Sequence, residues 1–307
     1  MRVLLVGGTG TIGQATACAL QVAGHELVCF GRRGPPGAEF RAGEVTQTAS
    51  VLTAGFRGQR FDAVVSCLAS RTGVPRDAWA IDHGANLAVL EAAQRAGVTH
   101  FVLLSAICVQ KPMLVFQRAK LAFEAALTGS GIRYSIVRPT AYFKSLSGQV
   151  GRLRRGKPFL IFGDGRRTAC KPISDGDLAR YLVTCLDDPA RWDRVLPIGG
   201  PGPAITPQAM GERLFALLGM TPRFRSVPIR LLDVIVATLG TMRLREKAEL
   251  ARIGRYYATE SMLVLDPVSG EYSAAATPET GADTLFDFYA RLIDGTATID
   301  RREHAVF

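Results

Sequence analysis

Residues 2–13 join a short apolar run to closely spaced glycines: Arg2-Val3-Leu4-Leu5-Val6-Gly7-Gly8-Thr9-Gly10-Thr11-Ile12-Gly13. The apolar run is typical of a buried parallel strand. The segment from Gln14 to Ala23 has the small and apolar residues of a helix packed on it. Glycine suits the turn between them because the chain bends sharply and its backbone must approach a pyrophosphate closely. The phosphates would lie at the helix N-terminus, where N–H groups and the helix dipole favour anions.

The glycine spacing is G-x-x-G-x-x-G, counted through Gly7, Gly10 and Gly13. It resembles the short-chain dehydrogenase superfamily, in particular its extended and atypical branches. The next strand, Glu26 to Phe30, ends in Gly31-Arg32-Arg33, and positions 31–37 contain no acidic residue. Enzymes that use NAD place a carboxylate here for the ribose 2′-hydroxyl, whereas arginine suits the 2′-phosphate of NADP. We predict an NADPH site; the alternative is a solvated basic turn.

Composition narrows the class of protein. The chain has 307 residues, 48% of them hydrophobic and 21% charged, which fits a globular protein with one large domain or one and a half. Six cysteines without a C-x-x-C pair predict buried free thiols in a reducing compartment, and four scattered histidines predict no metal site. The formal charge of +10 favours anionic ligands or an anionic surface. No motif indicates nucleic acid.

No targeting segment is predicted, because the first strand starts at Arg2. No apolar run reaches the roughly 18 residues of a membrane span. We therefore expect a cytoplasmic protein.

Strands and helices alternate after the arginine turn. A weak helix is expected near 50–54, strands at 61–69, 101–106 and 131–138, and helices at 77–97 and 115–128. This alternation predicts an α/β fold with a doubly wound, Rossmann-like parallel sheet. Ligands bind such sheets beyond the carboxyl ends of the strands. The candidate site residues therefore follow the strands: Gly7 to Gly13, Arg32 and Arg33, Cys67 to Arg71, Ser105 to Ile107, and Pro139 to Phe143.

The later half is less regular. We predict a hairpin-like stretch at 159–173 that turns at Gly163-Asp164-Gly165, a helix at 176–186 capped by Ser174, and a strand at 195–198. Thr206 is expected to cap a helix that ends near 218, and further helices are predicted at 228–242 and 284–293. The predicted domains are an NADP-binding domain at 1–145, with sheet elements returning at about 170–200, and an interleaved substrate-binding lobe at 146–307.

The helix at 115–128 carries an unusual catalytic pattern. Short-chain dehydrogenases typically have Tyr-x-x-x-Lys here, one helical turn apart, with Ser or Thr at the end of the preceding strand. The tyrosine protonates a carbonyl oxygen, while the lysine lowers its pKa and holds the nicotinamide ribose. In this chain Ser105 and Lys120 are present, but the tyrosine position is Phe116. Because phenylalanine cannot donate a proton, the pattern argues against ordinary carbonyl reduction. An enzyme for another reduction and a cofactor-binding protein without catalysis remain open.

Several blocks resemble the divinyl chlorophyllide a 8-vinyl reductases of chlorophyll and bacteriochlorophyll biosynthesis, an atypical branch of the short-chain dehydrogenases. The blocks are Phe61 to Gly73, Leu103 to Pro112, Phe116 to Lys120, Ser135 to Leu146, Phe162 to Gly165, Cys170 to Ser174 and Val195 to Gly202. They lie in order within about residues 1–220, and the segment 258–288 looks similar. Phe116 is in keeping with that family. The helix at 228–242 shows the least correspondence.

The resemblance implies NADPH-dependent reduction of the 8-vinyl group of divinyl chlorophyllide, or of its protochlorophyllide precursor, to 8-ethyl. The macrocycle would delocalise the charge that hydride brings, so no acidic tyrosine is needed. Lys120 would orient the nicotinamide ribose, Ser105 would support it, Phe116 would form an apolar wall, and water or Tyr142 would supply the proton. The predicted cofactor-binding residues are Gly7, Thr9, Gly10, Thr11, Ile12, Gly13, Arg32, Arg33, Cys67, Leu68, Ala69, Ser105, Lys120, Pro139, Thr140 and Phe143.

A flat, apolar pigment that carries a propionate requires a broad aromatic pocket. The candidates for its wall, each with a core alternative, are Trp79, Tyr142, Phe143, Phe159 and Phe162. The basic cluster, defined as Arg152, Arg154, Arg155 and Lys157, could hold the propionate; a solvated loop is the alternative.

The helix at 228–242 carries Leu231, Ile235, Leu239 and Met242 on one predicted face, with basic residues at both ends. It could be a lid, a core helix or an interfacial helix that places the protein peripherally on anionic photosynthetic membranes. Two competing functions share the glycine spacing: an NmrA-type NADP-sensing regulator and an isoflavone-like reductase of another aromatic substrate.

Overall fold

The computed structural model describes residues 1–242 and 244–298. They divide into two compact units. The first unit contains residues 1–139 and 175–197, and the second contains residues 140–174 and those from 198 onward. That the first binds the cofactor and the second the substrate stays a prediction, as do the domain limits at 145 and 146.

A seven-stranded sheet forms the centre of the first unit. Its strands, numbered along the whole chain, are β1 (Arg2–Val6), β2 (Glu26–Gly31), β3 (Glu39–Ala42), β4 (Ala63–Ser66), β5 (His100–Leu104), β6 (Arg133–Pro139) and β8 (Arg194–Ile198). They lie in the order β3-β2-β1-β4-β5-β6-β8, and the pairs from β3 to β6 are parallel. The doubly wound parallel fold is therefore confirmed.

Helices pack on this sheet and bury its apolar strands. They are α1 (Thr11–Val22), α2 (Thr48–Ser50), α3 (Pro75–Ala78), α4 (Asn86–Arg95), α5 (Val115–Thr128) and α8 (Asp175–Asp187). Within the core, the rings of Phe101 on β5 and Phe123 on α5 lie 5.9 Å apart. Strand β1 is flanked by β2 and β4, so the chain order reverses beside it. Such a reversal is where ligands bind in this class of fold.

Strand β3 was not predicted from the sequence. Three of its four residues are exposed, so the apolar pattern that marks a buried strand is absent. Arg41 is the exception, because its guanidinium is buried and donates to Glu39, Gln59 and the carbonyl of Gly55. An edge strand can carry such a polar sequence because only one of its edges is paired.

The predicted helix at 77–97 is present, but it contains a π-helical turn. Helix α3 continues through this turn, Trp79–Ala85, into α4. The wider turn shifts the residues that follow around the helix axis, so the expected regular spacing does not apply. Trp79, the first residue of the turn, is 46% exposed and is not part of the inner apolar row. Helix α2 likewise continues into a π-helical turn, Val51–Phe56.

The second unit contains two small sheets and six helices among its described residues. Its strands are β7 (Phe159–Phe162), β9 (Phe224–Val227), β10 (Val264–Leu265) and β11 (Tyr272–Ser273). Its helices are α6 (Phe143–Leu146), α7 (Val150–Arg154), α9 (Pro207–Leu217), α10 (Ile229–Thr241), α11 (Arg245–Thr259) and α12 (Leu285–Asp294). Thr206 caps α9 by accepting a hydrogen bond from the N–H of Ala209, as predicted.

The predicted hairpin at 159–173 is wrong. Strand β7 pairs in parallel with β9, which follows some sixty residues later. The turn residues Gly163 and Gly165 do have positive φ angles, 62° and 70°, so the chain bends there as expected. After the bend it does not return along β7: Cys170 and Ile205 form an isolated antiparallel bridge instead. The glycine signal located the bend but not the partner strand.

Helix α10 is present, but it is not a core helix: none of its residues is buried. Helix α11, which packs on α10, was missed. Its buried residues Ala248, Ile253 and Tyr256 are spaced as on one helical face, which is a signal that could have revealed it. Among the described residues, no helix combines the length and hydrophobicity that a membrane crossing needs.

Candidate active site

The glycine loop between β1 and α1 lies against the end of β4. A Cβ on Gly7 would come within 2.5 Å of the backbone carbon of Cys67, and a Cβ on Gly13 would come within 2.1 Å of the carbonyl oxygen of Gly7. Gly7 also has a φ angle of +79°. These two positions therefore require glycine, because the turn is tight and the helix packs directly on it.

Gly10 is different, because it has space around it. A Cβ there would meet only the carbonyl oxygen of Gly7, at 3.6 Å. Gly10 is the N-cap of α1 and offers no side chain to the first turn of that helix. The half-buried residues Thr9 and Thr11 lie on either side of it. A helix N-terminus with room above a glycine fits the pyrophosphate of a dinucleotide.

Arg32 and Arg33 follow β2, the strand next to β1. Both side chains are exposed. Within residues 1–242 and 244–298, neither guanidinium forms a hydrogen bond or an ion pair with another side chain. Two cations at this position can bind an anionic group near the second strand.

Residues 67–69 leave β4 beside the glycine loop. The N–H of Cys67 donates to the carbonyl of Val6 at 2.9 Å, which holds the two strand ends together. Burial raises the pKa of the Cys67 thiol to about 12, so this thiol is neutral and not a nucleophile. Leu68 is buried and Ala69 is exposed. This segment can form one wall of a cofactor site through its backbone.

Ser105, which follows β5, is buried and forms a hydrogen bond inside the first unit. Its hydroxyl donates to Glu124 Oε1 at 2.5 Å. The carboxylate of Glu124 also accepts hydrogen bonds from Arg138 on β6 through both of its oxygens. The sequence analysis missed Glu124 and Arg138, although Glu124 lies one helical turn after Lys120 on α5.

Lys120 lies on α5 with an ion-pair partner that was also missed. Its Nζ is 2.9 Å from Oδ1 of Asp82, whose side chain is fully buried. The Lys120 side chain is 12% exposed, so it is not fully enclosed by the protein. Phe116, one turn earlier, is 8% exposed and contributes an apolar side chain, as expected. The roles predicted for Ser105, Phe116 and Lys120 stay predictions.

Pro139 ends β6 and belongs to the first unit, whereas the residues from Thr140 onward belong to the second. The hydroxyl of Thr140 donates to the carbonyl of Lys171, so this hydroxyl is already used. The ring of Phe143 is 3% exposed and packs 5.5 Å from that of Phe288. The Phe143 ring therefore lies in the core of the second unit, and the predicted contact of Phe143 with the cofactor stays a prediction. Tyr142 is half-buried, and its role as proton donor stays a prediction.

Two further expectations for the pigment site are corrected. Phe159 is a core residue, 6.0 Å from the ring of Phe224. Arg154 of the basic cluster donates to the carbonyls of Leu292 and Ile293, at 2.6 and 2.8 Å, and so caps the end of α12. Its guanidinium stabilises the fold and is not a free propionate site. Arg155 and Lys157 are exposed.

All six cysteines are free, and Cys18 is exposed. The expectation of buried thiols therefore fails for Cys18. Within the described ranges 1–242 and 244–298, no group of three or more His, Cys, Asp or Glu side chains is placed to hold a metal ion.

Comparisons with known proteins agree on the class of cofactor and on one family. The family described as NAD(P)H-binding matches residues 7–189. The chloroplastic divinyl chlorophyllide a 8-vinyl-reductase of Cucumis sativus is 46% identical, over 100% of this chain and 80% of that protein. The protein of the same name from Oryza sativa subsp. indica is 45% identical, over 99% and 82%.

Solved structures show the same fold at low identity. The NADPH-dependent quinone oxidoreductase QOR2 of Escherichia coli, complexed with NADPH, has a TM-score of 0.72 and 17% identity over 95% of this chain and 99% of that one. The expected nicotinamide dinucleotide site is confirmed by the NAD(P)H-binding family match, which begins at Gly7. Taken with the identity to the plant proteins over nearly the full chain, these matches show that the chain belongs to the NAD(P)H-binding family of divinyl chlorophyllide a 8-vinyl-reductases.

Proposed function

We propose that this protein reduces the 8-vinyl group of 3,8-divinyl chlorophyllide a, or of its protochlorophyllide precursor, to an 8-ethyl group with NADPH. The observation that carries the proposal is Phe116 on α5, one turn before Lys120, in a chain 45% identical to proteins named for this reaction. A site that keeps the lysine but not the acidic tyrosine suits a reaction in which no oxyanion forms.

The nicotinamide, when bound, supplies a hydride. Hydride addition to a conjugated vinyl carbon places negative charge in the macrocycle, where delocalisation stabilises it. The protein then has to orient the substrate against the nicotinamide, and this task needs no side-chain acid of matched pKa. Phe116 contributes an apolar surface, and Lys120 donates to the nicotinamide ribose. Water or Tyr142 delivers the proton.

NADPH, not NADH, is the proposed reductant. Arg32 and Arg33 are exposed at the end of β2, where a bound adenosine ribose would lie, and no carboxylate stands at positions 31–37. Arginine forms bidentate, charge-assisted hydrogen bonds with phosphate. The 2′-phosphate therefore has two candidate partners, and the 2′-hydroxyl of NAD has no acceptor nearby in the sequence.

Isotope transfer tests the reaction. NADPH deuterated at C4 of the dihydronicotinamide, incubated anaerobically with divinyl chlorophyllide, should yield a pigment that gains two hydrogens and carries deuterium in the new ethyl group. A regulator of the NmrA type would bind NADPH and leave the pigment unchanged. Deuterium found only at a carbonyl of another substrate would reject the proposal in favour of a different reductase.

The proposed function extends to a peripheral contact with an anionic membrane surface, through α10. The inner side of this helix consists of Ile229, Leu232, Val236 and Leu239, which are half-buried. The outer side is defined here as the apolar stripe: Leu231, Val234, Ile235, Thr238 and Met242. Compared with the predicted face, this stripe loses Leu239 and gains Val234 and Thr238. Val234 is 59% exposed and Met242 is 61% exposed. An apolar stripe at helical spacing normally faces the protein core, so its exposure here indicates a binding surface.

Charge around the apolar stripe favours anionic lipid as its partner. The exposed basic residues near the two ends of α10 are Arg223, Arg225, Arg230, Arg245 and Lys247. Arg243, also predicted to belong to this group, lies outside the described residues. Asp233, the acidic residue of α10, is already paired with Arg255 of α11. A helix with apolar and basic surfaces of this kind binds at the lipid headgroup boundary.

Vesicle flotation tests the membrane contact. Vesicles that contain anionic lipid should carry the protein at low salt, and uncharged vesicles should carry less. The double variant Leu231→Glu/Val234→Glu should lose the interaction, whereas Val268→Glu, at a residue 95% exposed and outside α10, should keep it. Failure of the wild-type protein to float at low salt, or flotation of the double variant, would reject this contact.

A further inference from the structure

We propose that Asp82 is a positioning residue for Lys120: its buried carboxylate holds the ammonium group where a bound cofactor needs it. The proposal rests on the role of Lys120 in the function proposed above. Asp82 belongs to neither the glycine loop nor the Tyr-x-x-x-Lys pattern, and its side chain is fully buried. Burying a carboxylate lowers the stability of the fold unless the charge is paired, so the groups paired with Asp82 indicate its role.

Three hydrogen-bond donors surround the Asp82 carboxylate. Lys120 Nζ lies 2.9 Å from Oδ1, the N–H of Ser70 donates to Oδ1 at 3.2 Å, and the hydroxyl of Ser70 donates to Oδ2 at 2.5 Å. Ser70 lies in the segment that leaves β4, four residues beyond the strand. The carboxylate therefore connects α5 to the loop at the carboxyl end of the sheet, where ligands bind in this fold.

The turn that carries Asp82 is itself fixed to the sheet. It is the π-helical turn Trp79–Ala85, a rare conformation that is frequent at functional sites. The side-chain amide of Asn86 donates to the carbonyls of Ile81 and Asp82, at 3.3 and 3.2 Å. The amide oxygen of Asn86 accepts from the hydroxyl of Ser66, the last residue of β4, at 2.6 Å. All of these polar side chains are buried, so the backbone under Asp82 is held by a defined set of bonds.

Lys120 needs such a support because of its own chemistry. Lysine has a long flexible stem, and ordering it costs conformational entropy. Phe116, one turn away on α5, offers the ammonium no acceptor, unlike the tyrosine of related enzymes. Asp82 engages the ammonium through one oxygen, and an ammonium has three protons, so two protons are left for the ribose hydroxyls of a bound cofactor. The carboxylate also balances the positive charge that would otherwise be buried.

A double-mutant cycle on NADP⁺ binding tests this role, with affinity measured by calorimetry in the absence of pigment. Asp82→Asn and Lys120→Met should each weaken NADP⁺ binding by roughly tenfold, and the double variant should bind no more weakly than Lys120→Met alone, because residues that act through one another are not additive. Additive losses, or wild-type affinity in Asp82→Asn, would overturn the proposal.

Asp177→Asn is the matched control. Asp177 is a buried carboxylate of the first unit, paired with Arg180 on α8. Its replacement should lower the melting temperature and leave NADP⁺ affinity unchanged. If Asp82→Asn fails to fold, Ser70→Ala replaces it in the cycle, because this variant removes a hydrogen bond to the Asp82 carboxylate and keeps the charge. A non-additive effect of Ser70→Ala and Lys120→Met on NADP⁺ affinity supports the proposal. Additive effects overturn it. A wild-type protein that reduces no vinyl pigment would remove the proposed function but not this coupling.

Discussion

The hydroxyl of Ser105 donates a hydrogen bond to Glu124 Oε1 at 2.5 Å. The serine that follows β5 is therefore held by a buried carboxylate of α5. Lys120, one turn earlier on the same helix, is paired with Asp82. In a carbonyl reductase of this superfamily, the equivalent serine and lysine act with a tyrosine on the substrate oxygen. Here both are engaged by carboxylates and the tyrosine position holds Phe116, an arrangement that supports the proposed reduction of a substrate without a carbonyl to protonate.

Ser105→Ala should affect stability more than turnover. The substitution removes one hydrogen bond to a buried charged acceptor, so the free energy of unfolding should fall by about 1–3 kcal/mol, while kcat changes by less than about threefold. Urea unfolding and steady-state kinetics measure the two effects. A variant as stable as the wild type, with kcat about 100-fold lower, would show that Ser105 donates its proton to the substrate.

Gly10→Ala should fold normally and lose the cofactor. A Cβ at this position meets only the carbonyl oxygen of Gly7, at 3.6 Å, and the backbone φ angle of −72° suits alanine. The methyl group would occupy the space above the N-terminus of α1 that the pyrophosphate requires. Thermal unfolding and NADP⁺ calorimetry separate folding from binding.

Gly13→Ala provides the contrast, because its Cβ would lie 2.1 Å from a backbone oxygen and should destabilise the fold itself. The account of the glycine loop is wrong if Gly10→Ala binds NADP⁺ as tightly as the wild-type protein.

Arg32→Ser/Arg33→Ser should lose the preference for NADPH. Hydrogen bonds to charged groups contribute about 1.5–3 kcal/mol, so the affinity for NADPH should drop by about tenfold or more, and that for NADH should change little. Fluorescence titration with each nucleotide gives the ratio. Arg76→Ser, at an exposed position on α3, is the control for loss of positive charge. An equal loss for both nucleotides would mean that these arginines do not distinguish the 2′-phosphate.

Phe116→Tyr should leave the turnover of the vinyl pigment within about threefold of the wild type. General acid catalysis contributes about 100-fold or more where a proton transfer limits the rate. A gain of that size in the variant would show that the natural protein lacks an acid that its reaction needs. Pigment conversion at saturating NADPH measures this directly.

Acid should destabilise the first unit through His100. Burial, together with the nearby Arg133, lowers the pKa of the His100 imidazole from 6.5 to about 4. Between these values the unfolded chain binds a proton that the folded protein does not, so the free energy of unfolding should fall as the pH drops from about 6.5 to 4. His100→Gln should flatten this part of the stability profile, measured by urea unfolding. If the free energy of unfolding of His100→Gln depended on pH as it does in the wild type, other groups would be responsible for the loss of stability in acid.

The first unit could be predicted from the sequence because its strands are buried on both faces. Continuous apolar runs such as Val3 to Val6 mark such strands, and the glycine spacing marks the turn. Strand β3 was not predicted because three of its four residues are exposed and the sequence lacks an apolar run. Strand β7 was assigned the wrong partner because its true partner, β9, lies far along the sequence. The apolar sequence of α10 predicted the helix but not its exposure, which depends on the elements that pack around it.

The site was only partly predictable. Lys120, Ser105 and Phe116 were found through spacing along one helix and one strand end. Asp82 could not be found in the same way, because its ion pair with Lys120 joins two separate helical segments. Glu124 and Arg138 lie on consecutive elements, but their spacing in the sequence does not show that they pair. Core packing also buries the rings of Phe143 and Phe159. The sequence could not show this, because an aromatic residue after a strand has the same appearance in the sequence whether it lines a pocket or fills a core.

The most direct test of the central claim is NADPH oxidation under anaerobic conditions, with a detergent-solubilised divinyl tetrapyrrole and a simple ketone offered separately. The account predicts one NADPH consumed per pigment, a small blue shift of the Soret band, and no oxidation with the ketone. Ready reduction of the ketone, with the vinyl pigment left intact, would contradict it.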